Sequence, residues 1–249
     1  MKIIISPAKK MNIDTDTFAW KDAPFFLDKT KELMQYIQNL SYEDAKKLWG
    51  CNDKIAEQNF ERFSSMNLEN NLTPAILSYE GIQYQYMSPF VFSENALSYI
   101  QKNLRILSGF YGILKPFDGV VPYRLEMQAK ASVNGTKDLY EFWGSSLYDQ
   151  LTSDGSKIIL NLASKEYSKC IEKYIKPSDN FVTCIFGELS GGKVVQKGTL
   201  AKMARGEMVR FLAEHEITSL DGVKDFCGGE HTFSESHSTD TEYVFLRSK

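Results

Sequence analysis

The chain has 249 residues, 43% of them hydrophobic and 24% charged, with a formal net charge of −3. That length allows one large domain or two small ones, and that composition supplies a sizeable core and excludes general disorder. The acidic balance excludes a surface that is basic all over, so any nucleic-acid contact must come from a local basic cleft.

Residues 2–6 (KIIIS) predict a short buried strand stopped by Pro7. Leu33, Tyr36, Ile37 and Leu40 set a helical period within residues 30–49, with Ser41 placed as an N-cap and Gly50 as a stop. Residues 53–65 repeat that pattern through Ile55, Ala56, Phe60 and Phe63. AILSYEGIQY (75–84) predicts a strand followed by a glycine turn, and residues 93–104 predict a helix capped by Ser93. Residues 104–109 fit either a strand or a helix end. Residues 157–164 predict a buried strand that runs into a helix. Residues 180–189 and 191–196 predict a hairpin around Ser190, Gly191 and Gly192. The strongest helix is 199–217, with an apolar stripe of Leu200, Met203, Met208, Phe211 and Leu212. Gly206 costs that helix about 1 kcal/mol relative to alanine. Residues 242–247 predict a last strand. With no repeat, linker or composition break, the expectation is a single domain over 1–249. Its class is α/β (mixed α+β), with a mixed sheet flanked by helices.

The four cysteines, Cys51, Cys170, Cys184 and Cys227, form no C-x-x-C pair. No apolar run reaches the roughly 20 residues of a membrane helix, and the apolar start is too short for a secretory segment. These features predict a cytoplasmic protein with reduced thiols and no membrane partner.

Several segments carry candidate chemistry. Lys9, in SPAKK, follows the first strand, where α/β proteins often place ligands; it also suits a solvated loop. Gly109 and Gly112 bracket Phe110 and Tyr111, a turn able to offer backbone amides to phosphate or to be buried by its two aromatics. In PYRLEM, an extended chain puts Arg124 and Glu126 on one face and Tyr123, Leu125 and Met127 on the other. The two charges then form a surface pair or line a cleft, with Arg124 as an anion clamp and Glu126 as a general base or orienter.

In NLASKEY, Ser164, Lys165 and Glu166 stand where a buried strand meets a helix, a position that suits a site as well as plain capping. Lys193, Lys197, Lys202, Arg205 and Arg210 face only Glu207 in sequence. Lys202 and Arg205 share a helix face, so this is the best polyanion-facing strip. Cys227, His231 and His237 lack a fourth ligand, so neither a metal nor a cofactor is expected. No G-x-S-x-G, Walker A or H-E-x-x-H motif is present. Glu126, Glu166 and Ser164 are the candidate catalytic groups, and whether there is a reaction is left open.

SPAK, YEGIQY, LRILSGFYGILKPFDGVVPYRLEM, LYEFWG, NLASKEY, AKMARGEM and VFLR occur in order along the whole chain. Together they resemble the YaaA family of peroxide stress resistance proteins. The resemblance implies a cytoplasmic protein of hydrogen-peroxide defence that limits iron-dependent damage. It also implies an unusual α/β fold with a basic cleft, DNA binding, and a helix-hairpin-helix at 104–114 with Gly109 to Gly112 as its hairpin. The nucleic-acid contacts expected on this basis are Lys9, Gly109, Gly112, Arg124, Lys165, Lys193, Lys202 and Arg205. The alternative is an enzyme acting on a nucleotide, nucleobase or nucleic acid through its Lys, Arg, Glu and Ser cluster.

Overall fold

Three consecutive isoleucines, Ile3 to Ile5, expose no surface at all. A strand apolar on both faces belongs in the middle of a parallel sheet, and this one does. The computed structural model describes residues 1–248. Its strands in chain order are β1 (Lys2–Ile5), β2 (Lys10–Met11), β3 (Thr73–Pro74), β4 (Tyr79–Glu80), β5 (Leu104–Ser108) and β6 (Gly112–Leu114). These are followed by β7 (Gly119–Val120), β8 (Ile158–Asn161), β9 (Asn180–Ser190), β10 (Lys193–Val195), β11 (His231–Phe233) and β12 (Glu242–Arg247).

The main sheet runs β11-β12-β9-β8-β1-β5-β6, with β10 hairpinned onto β9. Its middle, from β12 to β5, is parallel, and β6, β10 and β11 are antiparallel additions. The sheet is therefore mixed, as expected. From β1 the chain first builds β5 on one side, then crosses to build β8 and β9 on the other. The loops leaving β1 and β8 consequently head toward opposite edges of the sheet. In open α/β sheets such a reversal opens a crevice beyond the strand C-termini.

The helical half of residues 30–49 is two helices, α1 (Leu27–Gln38) and α2 (Tyr42–Trp49). Ser41 caps the second through the amide of Asp44, and Gly50 ends it in the left-handed region. Next come α3 (Asp53–Ser64), α4 (Ala75–Ser78), α5 (Ile82–Met87) and α6 (Glu94–Asn103). Ser93 caps α6 at the amide of Ala96. The chain continues through α7 (Leu139–Trp143), α8 (Ser146–Leu151), α9 (Lys165–Glu172), α10 (Gly198–Glu214) and α11 (Leu220–Val223). Cys170 on α9 and Cys184 on β9 are buried, Cys51 is half-buried and Cys227 is exposed. No helix among the described residues is long and apolar enough to cross a membrane.

Three expectations change. Residues 75–84 are not a strand and a turn but α4, the two-residue β4 and the start of α5. β4 is held by pairing with β2, far away in sequence. The buried set on α10 is Ala201, Ala204, Gly206, Met208, Val209, Leu212 and Ala213, with Leu200, Met203 and Phe211 only half-buried. Small residues dominate because α5 lies directly on the helix. A Cβ at Gly206 would stand 2.2 Å from the Gln83 carbonyl oxygen and 2.9 Å from the Met87 nitrogen. The glycine that weakens the isolated helix is what lets α5 and α10 touch.

The helix-hairpin-helix expected at 104–114 is a β-hairpin instead, β5 turning into β6 with Ser108 opposite Gly112. Ser108 Oγ accepts from the amides of Phe110 (3.2 Å) and Tyr111 (2.8 Å), and the Gly109 carbonyl accepts from Trp143 Nε1 at 3.1 Å. Gly109 and Gly112 are buried. The turn's Phe110 and Tyr111 amides, expected to face phosphate, are thus bonded to Ser108 inside the protein. Gly109 instead admits the PYRLEM segment, since a Cβ there would lie 2.5 Å from the Leu125 carbonyl oxygen.

Candidate functional site at the sheet switch point

β1 and β8 are neighbours, and their exits are tied together. Leu162 N donates to Ile4 O at 2.9 Å, Ser164 N donates to Ser6 Oγ at 2.8 Å, and Ser6 Oγ donates to Ser164 Oγ at 3.2 Å. Ser164 opens α9, but its side chain caps no helix amide. Its hydroxyl staples the two loops instead.

Beyond this staple lies a cavity of about 420 Å³. The loop after β1 supplies Pro7, Ala8 and Lys9 to its wall; α5 supplies Gln83 and Tyr84; α9 supplies Glu166 and Tyr167; α10 supplies Lys202 and Arg205. Tyr84 donates its hydroxyl to the Ser6 carbonyl at 2.9 Å, which fixes the floor. Behind the floor, Tyr79, Tyr123 and Ser108 hydrogen-bond in a buried row, at 2.8 Å and 2.6 Å. Burial pushes the Tyr123 phenol up to about 12 and Tyr79 and Tyr84 well above the ordinary phenol value, so all three stay protonated.

The PYRLEM segment is not a strand, but its burial alternates as its sequence predicts, with Tyr123, Leu125 and Met127 buried and Arg124 and Glu126 less so. The two charges are sheltered, with side-chain exposures of 12% and 16%. Arg124 Nη2 donates to Glu126 Oε1 at 3.0 Å, and Lys9 Nζ reaches Glu126 Oε2 at 2.9 Å. One carboxylate thus holds two cations. Lys9 lines both the switch-point cavity and a wider groove of about 690 Å³ floored by Glu126 and the end of α2. The Lys9–Glu126 pair is the partition between them, and Arg124 lines neither.

Lys202 and Arg205 differ from that cluster. Both face the switch-point cavity, and neither has an ion-pair partner among the described residues. Arg205 Nε is buried without a hydrogen-bond partner, and so is Gln83 Nε2. Burial lowers Arg205 from the ordinary guanidinium value, partly offset by the nearby Cys184 on β9, and a guanidinium stays charged in proteins. Glu166 is pushed above the usual carboxylate range, first by burial and also by the Glu126 charge. The amide of Gln128 and the Lys9 ammonium pull it back.

The remaining candidates lie elsewhere. Lys165 is exposed and paired with Glu172 on its own helix. Lys193 sits exposed on β10, opposite Ser190 in the hairpin. Lys197 pairs with Glu188 and Arg210 with Glu214. His231 is buried in β11 with its ring edge-on to Phe186, while His237 accepts or donates within a surface turn with Ser234. The residues that sequence reasoning missed are Ser6, Gln83, Tyr84 and Tyr167. Two of them stand in YEGIQY, a segment singled out as a motif but assigned the wrong local structure.

An α/β protein with a mixed sheet flanked by helices and a cavity at its switch point is the class these features define. The model of the peroxide stress protein YaaA family matches residues 1–237. A UPF0246 protein of Lachnoclostridium phytofermentans is 57% identical over 247 residues, covering 99% of this chain and 96% of its own. A UPF0246 protein of Agathobacter rectalis is 56% identical over 247 residues, covering 99% of each chain. One from Limosilactobacillus reuteri is 52% identical over 246 residues, covering 98% of each. The chain belongs to the YaaA family of peroxide stress proteins.

Proposed function

We propose that the protein binds DNA in the cytoplasm during peroxide stress, with weak sequence preference, and so limits iron-dependent oxidative damage. Phosphate contacts come from Lys202 and Arg205, with Lys9 at the rim. The observation that carries this is the unpaired state of Lys202 and Arg205 in an acidic protein whose neighbouring cations nearly all have carboxylate partners. Two free cations focused in a crevice attract a polyanion, and release of its counterions supplies affinity. The test is DNA binding across salt concentration. Wild type should bind with a clear salt slope, and Arg205→Ala should bind more weakly with a smaller slope. Salt-independent binding, or no binding at low salt, overturns the reading.

A second reading, an enzyme acting on a nucleotide or nucleobase, draws on Glu166. Its raised carboxyl beside the Ser6–Ser164 staple suits proton transfer. Glu166→Gln that binds DNA normally yet loses peroxide protection would favour this second reading.

A further inference from the structure

We propose that the switch-point cavity receives one unstacked nucleotide unit, its base edge read by the Gln83 amide and its phosphate held by Arg205 and Lys202. This inference rests on the nucleic-acid reading of the same cleft and gives it a ligand class. Gln83 is 6% exposed, yet its Nε2 meets no partner, and Arg205 Nε is in the same state at the same cavity. A buried donor left unsatisfied costs about 1–3 kcal/mol, and such groups call for an explanation wherever they occur. Both orphans belong to residues that line one cavity, so rotation of the two side chains brings both donors to a ligand with acceptor atoms.

The rest of the wall narrows the ligand. Free phosphate would meet the cations but also the Glu166 carboxylate and the Gln83 carbonyl oxygen, which repel it. A nucleobase carries acceptors and N–H donors on one edge, and a Gln amide matches that edge with two hydrogen bonds. Glu166 can accept from an exocyclic amine. Tyr84, Tyr167 and Ile82 offer apolar surface to a flat ring. A volume of about 420 Å³ falls in the range of small-ligand pockets. A duplex, with a major groove alone about 12 Å wide, does not enter it. DNA reaches this cavity only through a base that has left the stack, as in enzymes that extrude their target base.

The chemistry is shared by a free nucleotide and by an unpaired base in a strand, and one set of titrations separates them. The full-length protein is titrated with deoxyadenosine monophosphate, deoxycytidine monophosphate, deoxyribose phosphate and inorganic phosphate. It is also titrated with a paired duplex and the same duplex carrying one unpaired adenine. We expect one nucleotide per chain, bound at least tenfold tighter than deoxyribose phosphate, and competition between nucleotide and the unpaired-base duplex. Gln83→Leu, which keeps the side-chain size, should abolish that tenfold preference while retaining deoxyribose phosphate binding. Gln83→Glu serves the same purpose if the leucine variant melts early. Equal affinity for nucleotide and deoxyribose phosphate, or an unchanged preference in both variants, overturns the inference. Salt-dependent duplex binding that nucleotide does not compete with overturns it too, while leaving the DNA reading intact. Nucleotide binding without any duplex binding supports the cavity assignment, identifies the free nucleotide as its ligand and overturns the DNA reading.

Discussion

Two clusters of charge lie side by side in this molecule and are built on opposite rules. In the Arg124–Glu126–Lys9 cluster one carboxylate neutralises two cations, and only Arg124 Nε, also buried, is left without a hydrogen-bond partner. On the α5–α10 wall, Gln83 and Arg205 present buried donors with nothing to accept them. The first arrangement neutralises its cations within the protein; the second leaves Arg205 without an ion-pair partner among the described residues. Sequence proximity to rigid turns therefore marked the paired cluster, and the unpaired cavity-lining groups came from a helix crossing.

The contrast can be broken at that crossing. Gly206→Ala should destabilise the protein by about 1–3 kcal/mol through overpacking, reversing the usual gain of an alanine in a helix. Chemical denaturation measures this, and DNA binding should fall with it because Gln83 is displaced. Next in size, Arg205→Ala and Arg124→Ala should separate stability from binding. Arg205→Ala should lower DNA affinity about tenfold at moderate salt and leave the melting temperature equal or higher, since it removes an unsatisfied group. Arg124→Ala should lower the melting temperature, because Glu126 loses a charged hydrogen bond worth about 1.5–3 kcal/mol, with a smaller effect on binding.

Glu166 gives a pH test. Its raised value lies above that of the unfolded chain, so the stability it contributes is present below the ordinary Glu range and lost as pH rises through the raised value. An anionic ligand prefers the neutral carboxyl. DNA affinity at constant ionic strength should therefore weaken across the same window, and Glu166→Gln should flatten the profile. The smallest contrast is between lysines. Lys202→Ala should reduce the salt slope by about one, whereas Lys165→Ala, already paired with Glu172, should leave it unchanged.

Local rules made much of the fold legible. The triple isoleucine of β1, the Ser41 and Ser93 caps and the β9–β10 hairpin follow from patterns a few residues long. The alternation of Arg124 and Glu126 against Tyr123 and Leu125 was equally plain, as was the shared face of Lys202 and Arg205. YEGIQY failed because its structure is imposed from a distance: β4 pairs with β2, and a Cβ on Gly81 would stand 3.1 Å from that of Ala8. A glutamine in a short helix carries no sequence signal either. Gln83 stands out only once its amide is seen buried and alone. The Gly109–Gly112 turn misled for a related reason, since its Phe110 and Tyr111 amides donate to Ser108 and its open side is filled by the backbone of Leu125 and Glu126.

The buried sulfurs have a consequence for a member of a peroxide stress family. Cys170 is pushed up to about 12 by burial, and Cys184, beneath Arg205 in the central sheet, is raised further. Peroxide attacks thiolates, and sulfenic acid formation follows thiolate character and exposure. Neither interior thiol offers that form at physiological pH. The sheet that shapes the crevice thus holds its one cysteine, Cys184, in the form least open to the oxidant the family is named for.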